Sequence, residues 1–344
     1  MINKTNNFFK LCFAVTILLA VLFLLTNYYS KDLQTNVKNQ VVPVRKISLG
    51  AWTEGFFDSK NKELHPEVLQ DFESLINKKV SIAHYYLGWE MLSNPKLIGQ
   101  FDLINSNGWT PMLNVNPYYF VGCPVANLPL YQAISEGFCD EFLHIAGKNL
   151  SNINKPFYLV FAWEMNNDNN HWSIPYTGST PEHFVAAWQH IYLIFEEEKA
   201  SNVTWVFCPN IPEEKTSPSD KIYPGSDYVD WICLDGYNWG TTQSWSQWVD
   251  FAGVFTSAYN RMTTIASDKP LMIGEVNTTN KGGDKANWYR DMLINQIPNN
   301  FPKIEAVVIF NEDKTFTEKV NWKVDVTPDS LQAFIEGVNS GFYK

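Results

Sequence analysis

Two glutamates, Glu164 and Glu275, each close an unbroken apolar run: PFYLVFAWE over residues 156–164 and PLMIGE over residues 270–275. Apolar runs of this length without polar alternation suit strands buried on both faces, as in a parallel sheet. A carboxylate buried there without partners would be costly. At the carboxyl end of a parallel strand it instead stands where α/β barrels place their chemistry. Two such strands, each delivering a glutamate, predict a pair of catalytic carboxylates.

The elements that must position this pair alternate along the chain. Strand candidates fall at 46–51, 80–87, 110–116, 156–163, 203–208, 229–235, 270–275 and 304–310. Helical candidates at 66–76, 95–106, 128–150, 181–199, 245–267 and 284–296 lie between them. A last helix over 328–338 opens on Thr327-Pro328, a capping residue followed by proline at the first helical position. Strands and helices alternating in this way predict a single (β/α)8 TIM barrel over residues 45–344. An open doubly wound sheet would offer a Gly-rich first turn, and the sequence has none. On this map Glu164 ends strand four and Glu275 strand seven, across the barrel mouth from each other. Retaining glycosidases hold one carboxyl as acid and a second, about 5–5.5 Å away, as nucleophile. That separation is reachable here.

Composition bounds the ligand. The chain has 344 residues, 13 of them Trp and 16 Tyr, whose flat faces and polar edges suit sugar rings as well as ordinary cores. A net charge of −10 without a basic stripe excludes nucleic acid and argues against a polyanionic substrate. The five cysteines form neither a CxxC nor a zinc-spaced cluster, and no phosphate loop appears. No metal or organic cofactor is implied. Cys123 and Cys139 could pair, but the sequence does not require it.

Lys4 and Lys10 precede an apolar run over residues 11–25, broken only by Thr16. Residues 1–29 read as a signal peptide or signal anchor, with 30–44 as a polar linker. Asn27-Tyr28-Tyr29 is a poor cleavage site, so an anchor over 11–28 with its amino terminus inside is the preferred reading. The barrel then faces an extracytoplasmic space as a monomer.

Several stretches recur in order and spacing: Glu164-Met165-Asn166, WVFCPN over 205–210, the run from YPG to DGYN over 223–238, KPLMIGE over 269–275, and a late Trp322-Lys323. Together they resemble glycoside hydrolase family 26, the retaining β-mannanase and β-glycanase family, across nearly all of residues 47–338. The resemblance implies Glu164 as acid/base, Glu275 as nucleophile and Tyr237 as the hydroxyl supporting that nucleophile. It implies Trp322 as a platform under the sugar on the non-reducing side, and Trp172 as the tryptophan following the acid/base motif. Two places depart from the family pattern. Trp163 and Val160 stand where His and Arg are usual, which bears on mannan specificity more than on hydrolysis. Lys323 replaces an Arg, keeping the charge but not the planar fork.

Further substrate-binding candidates are Trp163, Asn166, Trp239, His84 and Lys323, with Trp89 and Tyr118 as other strand-end or loop aromatics. Each has a plainer reading. His84 inside a strand is more often a core histidine, Asn166 can cap a turn, and Asp235 more readily orients backbone than performs chemistry. The expected activity is retaining hydrolysis of a neutral polysaccharide, β-mannan-type first. A β-glucanase or xylanase specificity, transglycosylation, and a non-catalytic carbohydrate-binding barrel are the alternatives.

Overall fold

In the computed structural model, residues 25–27, 45–117, 123, 127–211 and 218–344 are described. Its eight main strands are β1 (Ser48–Thr53), β2 (Ile82–Gly88), β3 (Thr110–Asn116), β4 (Phe157–Phe161), β5 (Val203–Phe207), β6 (Trp231–Asn238), β7 (Leu271–Thr278) and β8 (Ile304–Asn311). All pair in parallel in chain order, and β1 pairs with both β8 and β2, closing the barrel. The expected β/α barrel is therefore present, formed within residues 45–344.

Helices α1 (Pro66–Ile76), α2 (Lys96–Ser106), α3 (Leu130–Ser135), α4 (Asp140–Ser151), α5 (Pro181–Glu197), α6 (Phe251–Ile265), α7 (Lys285–Arg290) and α8 (Pro328–Val338) are the main helices. α8 starts as its sequence dictates: Pro328 occupies the first turn and the Thr327 hydroxyl accepts from the Ser330 N–H. The expected helix over 128–150 is two helices. Gly137 takes a left-handed φ of 84° between them, where the helical path cannot continue. α6 begins at Phe251, not at 245, because Asp250 caps it by accepting from the Gly253 N–H. The expected helix over 284–296 runs as α7 and then a π-helical Asp291–Gln296.

Two apolar layers fill the fold. Ile82, Met112, Val160, Val206, Met272 and Val308 pack inside the barrel, while a larger core joins its outside to the helices. Cys123 bonds Cys139, closing the pairing the sequence left open, and Cys208 on the end of β5 bonds Cys233 on β6. That second disulfide explains Gly274. A Cβ there would lie 2.2 Å from the Cys233 Sγ and 2.7 Å from the Asp235 Oδ1, so only glycine fits just before Glu275.

The candidate signal or anchor (1–29) and linker (30–44) lie outside the described residues, apart from the helical residues 25–27. Among the described residues no helix is long and apolar enough to cross a membrane. Tyr118 also lies outside them.

Candidate active site

β4 stops at Phe161, and the chain then turns through two left-handed residues, Ala162 (φ 53°) and Glu164 (φ 51°). Non-glycine residues rarely adopt this conformation, and it persists where surrounding structure enforces it. Here the Ala162 N–H donates to the Val115 carbonyl and the Glu164 N–H to the Cys208 carbonyl, both at 2.8 Å. The turn carries the Glu164 carboxyl into a hollow of about 430 Å³ at the carboxyl ends of the strands. Glu275, within β7, lines the same hollow.

Each Glu275 oxygen accepts from a tyrosine. Tyr86 Oη donates to Oε1 at 2.6 Å, and Tyr237 Oη to Oε2 at 2.5 Å. Glu164 Oε2 accepts from the side-chain amides of Asn167 and Asn170, each at 3.2 Å. Burial pushes the Glu275 carboxyl up to about 7, with the charge of Glu164 adding to the rise and the two tyrosine hydrogen bonds opposing it. Burial likewise raises Glu164, against its two asparagine donors. Glu275 and the partly buried Glu164 therefore titrate as a pair that retains a proton well above the usual carboxylate range.

Beneath them Asp235 is wholly buried, and burial, then the charges of Glu275 and Glu164, hold its carboxyl well above its ordinary value. Cys208, Cys233 and Asp235 lie close enough together to suggest a metal site, but the disulfide ties up both sulfurs.

The sequence-selected residues divide. Glu164, Glu275, Tyr237, Trp163 and Trp322 line the hollow. Trp322 is only 1% exposed, covered by Tyr237 and Trp239 at ring distances of 4.8 and 4.9 Å. Trp239 lines an adjoining hollow. Five others do not reach this hollow. His84 is fully buried one step below Tyr86 on β2, and desolvation lowers its pKa to about 3, so it is a neutral core residue. Asn166 is buried and latches loops together, its amide donating to the Asn210 carbonyl and its oxygen accepting from the Asn210 N–H. Trp172 packs behind Trp163 with ring centroids 4.3 Å apart, and its Nε1 donates to the Trp163 carbonyl. Lys323 gives its backbone carbonyl to Lys285 and lies outside the lining. Trp89 is 1% exposed and packs on Phe142.

The lysine in the hollow is Lys314, beyond β8, ion-paired with Glu318 at 3.1 Å. Its charge favours the ionised forms of both Glu164 and Glu275. Sequence reasoning missed Lys314 and Tyr86. Tyr86 had a signal: on β2, alternation turns His84 and Tyr86 inward, and Tyr86 is the inward residue nearer the mouth.

No protein-family model matches the chain. Endoglucanase H of Acetivibrio thermocellus is 30% identical over 302 residues, covering 86% of this chain and 31% of the relative. A mannan endo-1,4-β-mannosidase of Caldalkalibacillus mannanilyticus is 32% identical over 94 residues, or 27% of this chain and 15% of that one. The chain thus spans about a third or less of the length of the curated relatives it matches. Among solved structures, the catalytic domain of a GH26 endo-β-1,4-mannanase from Bacillus sp. JAMB-750 superposes with a TM-score of 0.62 at 14% identity, covering 87% of both chains. A GH26 β-mannanase from Bacteroides ovatus gives 0.60 at 13% identity, covering 88% of this chain and 90% of that one. The long match to a curated relative coincides with the ordered motifs and the barrel. The barrel is that of the GH26 mannanase structures, and over 302 residues the chain is similar in sequence to that endoglucanase. At the two places where the resemblance set out above has Arg and His, Val160 is buried inside the barrel and Trp163 forms part of the wall.

Proposed function

We propose that the chain is a retaining glycoside hydrolase acting on β-linkages of a neutral polysaccharide, β-mannan-type first. The observation that carries this is the pair of carboxyls in one hollow at the barrel mouth, one of them held by two tyrosine hydroxyls. Glu275 attacks the anomeric carbon while Glu164 protonates the departing oxygen. Glu164 then takes a proton from water, which attacks the same carbon and releases Glu275. Tyr86 and Tyr237 hold the attacking carboxylate in place and favour its charged form. Trp163 and Trp322 wall the sugar site, and the two carboxyls need neither metal nor organic cofactor.

A β-glucan specificity is the second reading. It is favoured by Trp163 in the pocket wall where a histidine is usual in mannanases, and by the endoglucanase name of the longer-matching relative. Residues 1–29 are read as a signal or anchor and 30–44 as a linker, placing a monomeric barrel outside the cytoplasm, tethered through residues 11–28.

Reducing-sugar release by the purified chain is measured on mannan, galactomannan, mixed-linkage β-glucan, β-1,3-xylan and cellulose, with Glu275→Gln as control. Release on mannan or galactomannan that disappears in the control supports the first choice, and release on β-glucan alone moves the assignment to the second. Silence on all five from a folded chain would overturn the hydrolase reading for these sugars.

Tyr86→Phe isolates one of the two clamps. A hydrogen bond to a charged group contributes about 1.5–3 kcal/mol, so kcat/KM falls roughly 10–100-fold. The Tyr86 hydroxyl lowers the Glu275 pKa, so its removal also moves the acid limb of the pH profile to higher pH. An unchanged limb would remove Tyr86 from this role.

A further inference from the structure

Trp322 stands in the link between a short strand, Val320–Asn321, and α8, yet its backbone is held by donors from the barrel and from α7. Asn277, two residues beyond Glu275 on β7, donates from Nδ2 to the Phe310 carbonyl at 2.7 Å and to the Trp322 carbonyl at 2.5 Å. Its Oδ1 accepts from the Tyr289 hydroxyl at 2.6 Å. The next carbonyl, that of Lys323, accepts from Lys285 Nζ at 2.8 Å. Lys285 and Tyr289 are four residues apart on α7 and so share one face, with the amine 5.5 Å from the centre of the tyrosine ring.

Lysine is a costly residue to bury in this place. Lys285 is 3% exposed, and desolvation lowers its amine to about 7 against the charge of Asp325. An apolar side chain of the same length would fill the space without that cost. What the amine secures is the carbonyl next to Trp322.

The setting of that indole bears on Glu275. The Trp322 ring lies on Tyr237 with centroids 4.8 Å apart, and Tyr237 Oη donates to Glu275 Oε2. The same hydroxyl lowers the Glu275 pKa. We infer that Lys285 is a positioning residue for the reaction: through the Lys323 carbonyl it seats Trp322 against Tyr237, and so aligns the tyrosine hydroxyl on the attacking carboxylate. This rests on the retaining-hydrolase reading above.

The test is a double-mutant cycle between Lys285→Met and Tyr237→Phe. Methionine keeps the reach of the side chain and removes the donor. Alone it lowers kcat/KM roughly 10-fold on the polysaccharide that the panel selects, and it moves the acid limb of the pH profile up by roughly half a unit. With Tyr237→Phe already in place, the same change costs less than about twofold and leaves the limb where it was. A lysine that only stabilises the fold would give equal losses in both backgrounds and an unmoved limb well below the melting temperature, which would overturn the inference. If Lys285→Met does not fold, Lys285→Gln, with a shorter stem and a neutral donor, goes through the same cycle under the same criteria. Carbon-13 NMR of the glutamate carboxyls separates this from failure of the hydrolase reading. The Glu275 resonance, identified by its loss in Glu275→Gln, titrates roughly half a unit higher in Lys285→Met. That shift without turnover on any sugar upholds the alignment while the hydrolase reading falls. An unshifted midpoint overturns the inference whether or not the chain turns over.

Discussion

Glu275→Gln lowers turnover by about 10⁴-fold or more, because in the proposed reaction Glu275 is the carboxylate that forms the glycosyl-enzyme. The same change stabilises the fold, and pH reveals it. Glu275 is raised from an ordinary 4.5 to about 7, mainly by burial. Below pH 4 the folded and unfolded chains both hold this proton, and nothing is lost. Between pH 4 and 7 the unfolded chain ionises first, so wild-type stability declines as pH rises, and the full loss is present above 7. That loss is of the order of 3 kcal/mol. Glutamine escapes it. Thermal scans should therefore show the variant melting several degrees above wild type at pH 8, with the curves converging toward pH 4. A variant that melts below wild type at pH 8 would mean that Glu275 is held for structural reasons.

Glu164→Ala gives a loss that depends on the leaving group. On polysaccharide, where the departing oxygen needs a proton, the rate falls by about 10²–10⁴-fold. A 2,4-dinitrophenyl glycoside leaves without one, so the first half-reaction stays fast and the glycosyl-enzyme accumulates for want of a base. Stopped-flow traces then show a burst of dinitrophenol equal to the enzyme concentration. Azide, a nucleophile that needs no deprotonation, restores turnover and yields the β-glycosyl azide. In wild type, burial raises the Glu164 pKa, so the alkaline limb of kcat/KM lies above the ordinary carboxylate range and disappears in the variant. Equal losses on both substrates, with no burst, would remove Glu164 from the acid/base role.

The fold was legible because a β/α barrel writes itself locally. Each strand is a short apolar run between amphipathic stretches, and all eight expected runs overlap the strands observed. Errors fell where a single residue overrides periodicity, as Gly137 does between α3 and α4 and Asp250 does at the start of α6. At the site, Glu164, Glu275 and Tyr237 were readable from strand ends and ordered motifs. Lys314 was not, because it comes from a short hairpin beyond β8 with no pattern of its own. The Cys208–Cys233 bond was equally hidden, since it depends on which residues of β5 and β6 face inward together. His84 and Asn166 show the converse limit. Residue type suggested sugar contact, but His84 is buried within the barrel and Asn166 is spent on joining two loops.

The left-handed pair at Ala162 and Glu164 has a consequence for engineering. Such backbone costs about 1–3 kcal/mol per residue, and a branched side chain at 162 would add to it. Glu164 is thus seated on ground that tolerates few substitutions, and a library spread across residues 161–165 would yield mostly inactive chains. The 239–249 loop offers the opposite terrain. It hangs from Asn238 at both ends and holds Trp245 in solvent. Diversity introduced there can reshape the wall of the adjoining hollow while Glu164 stays where it is.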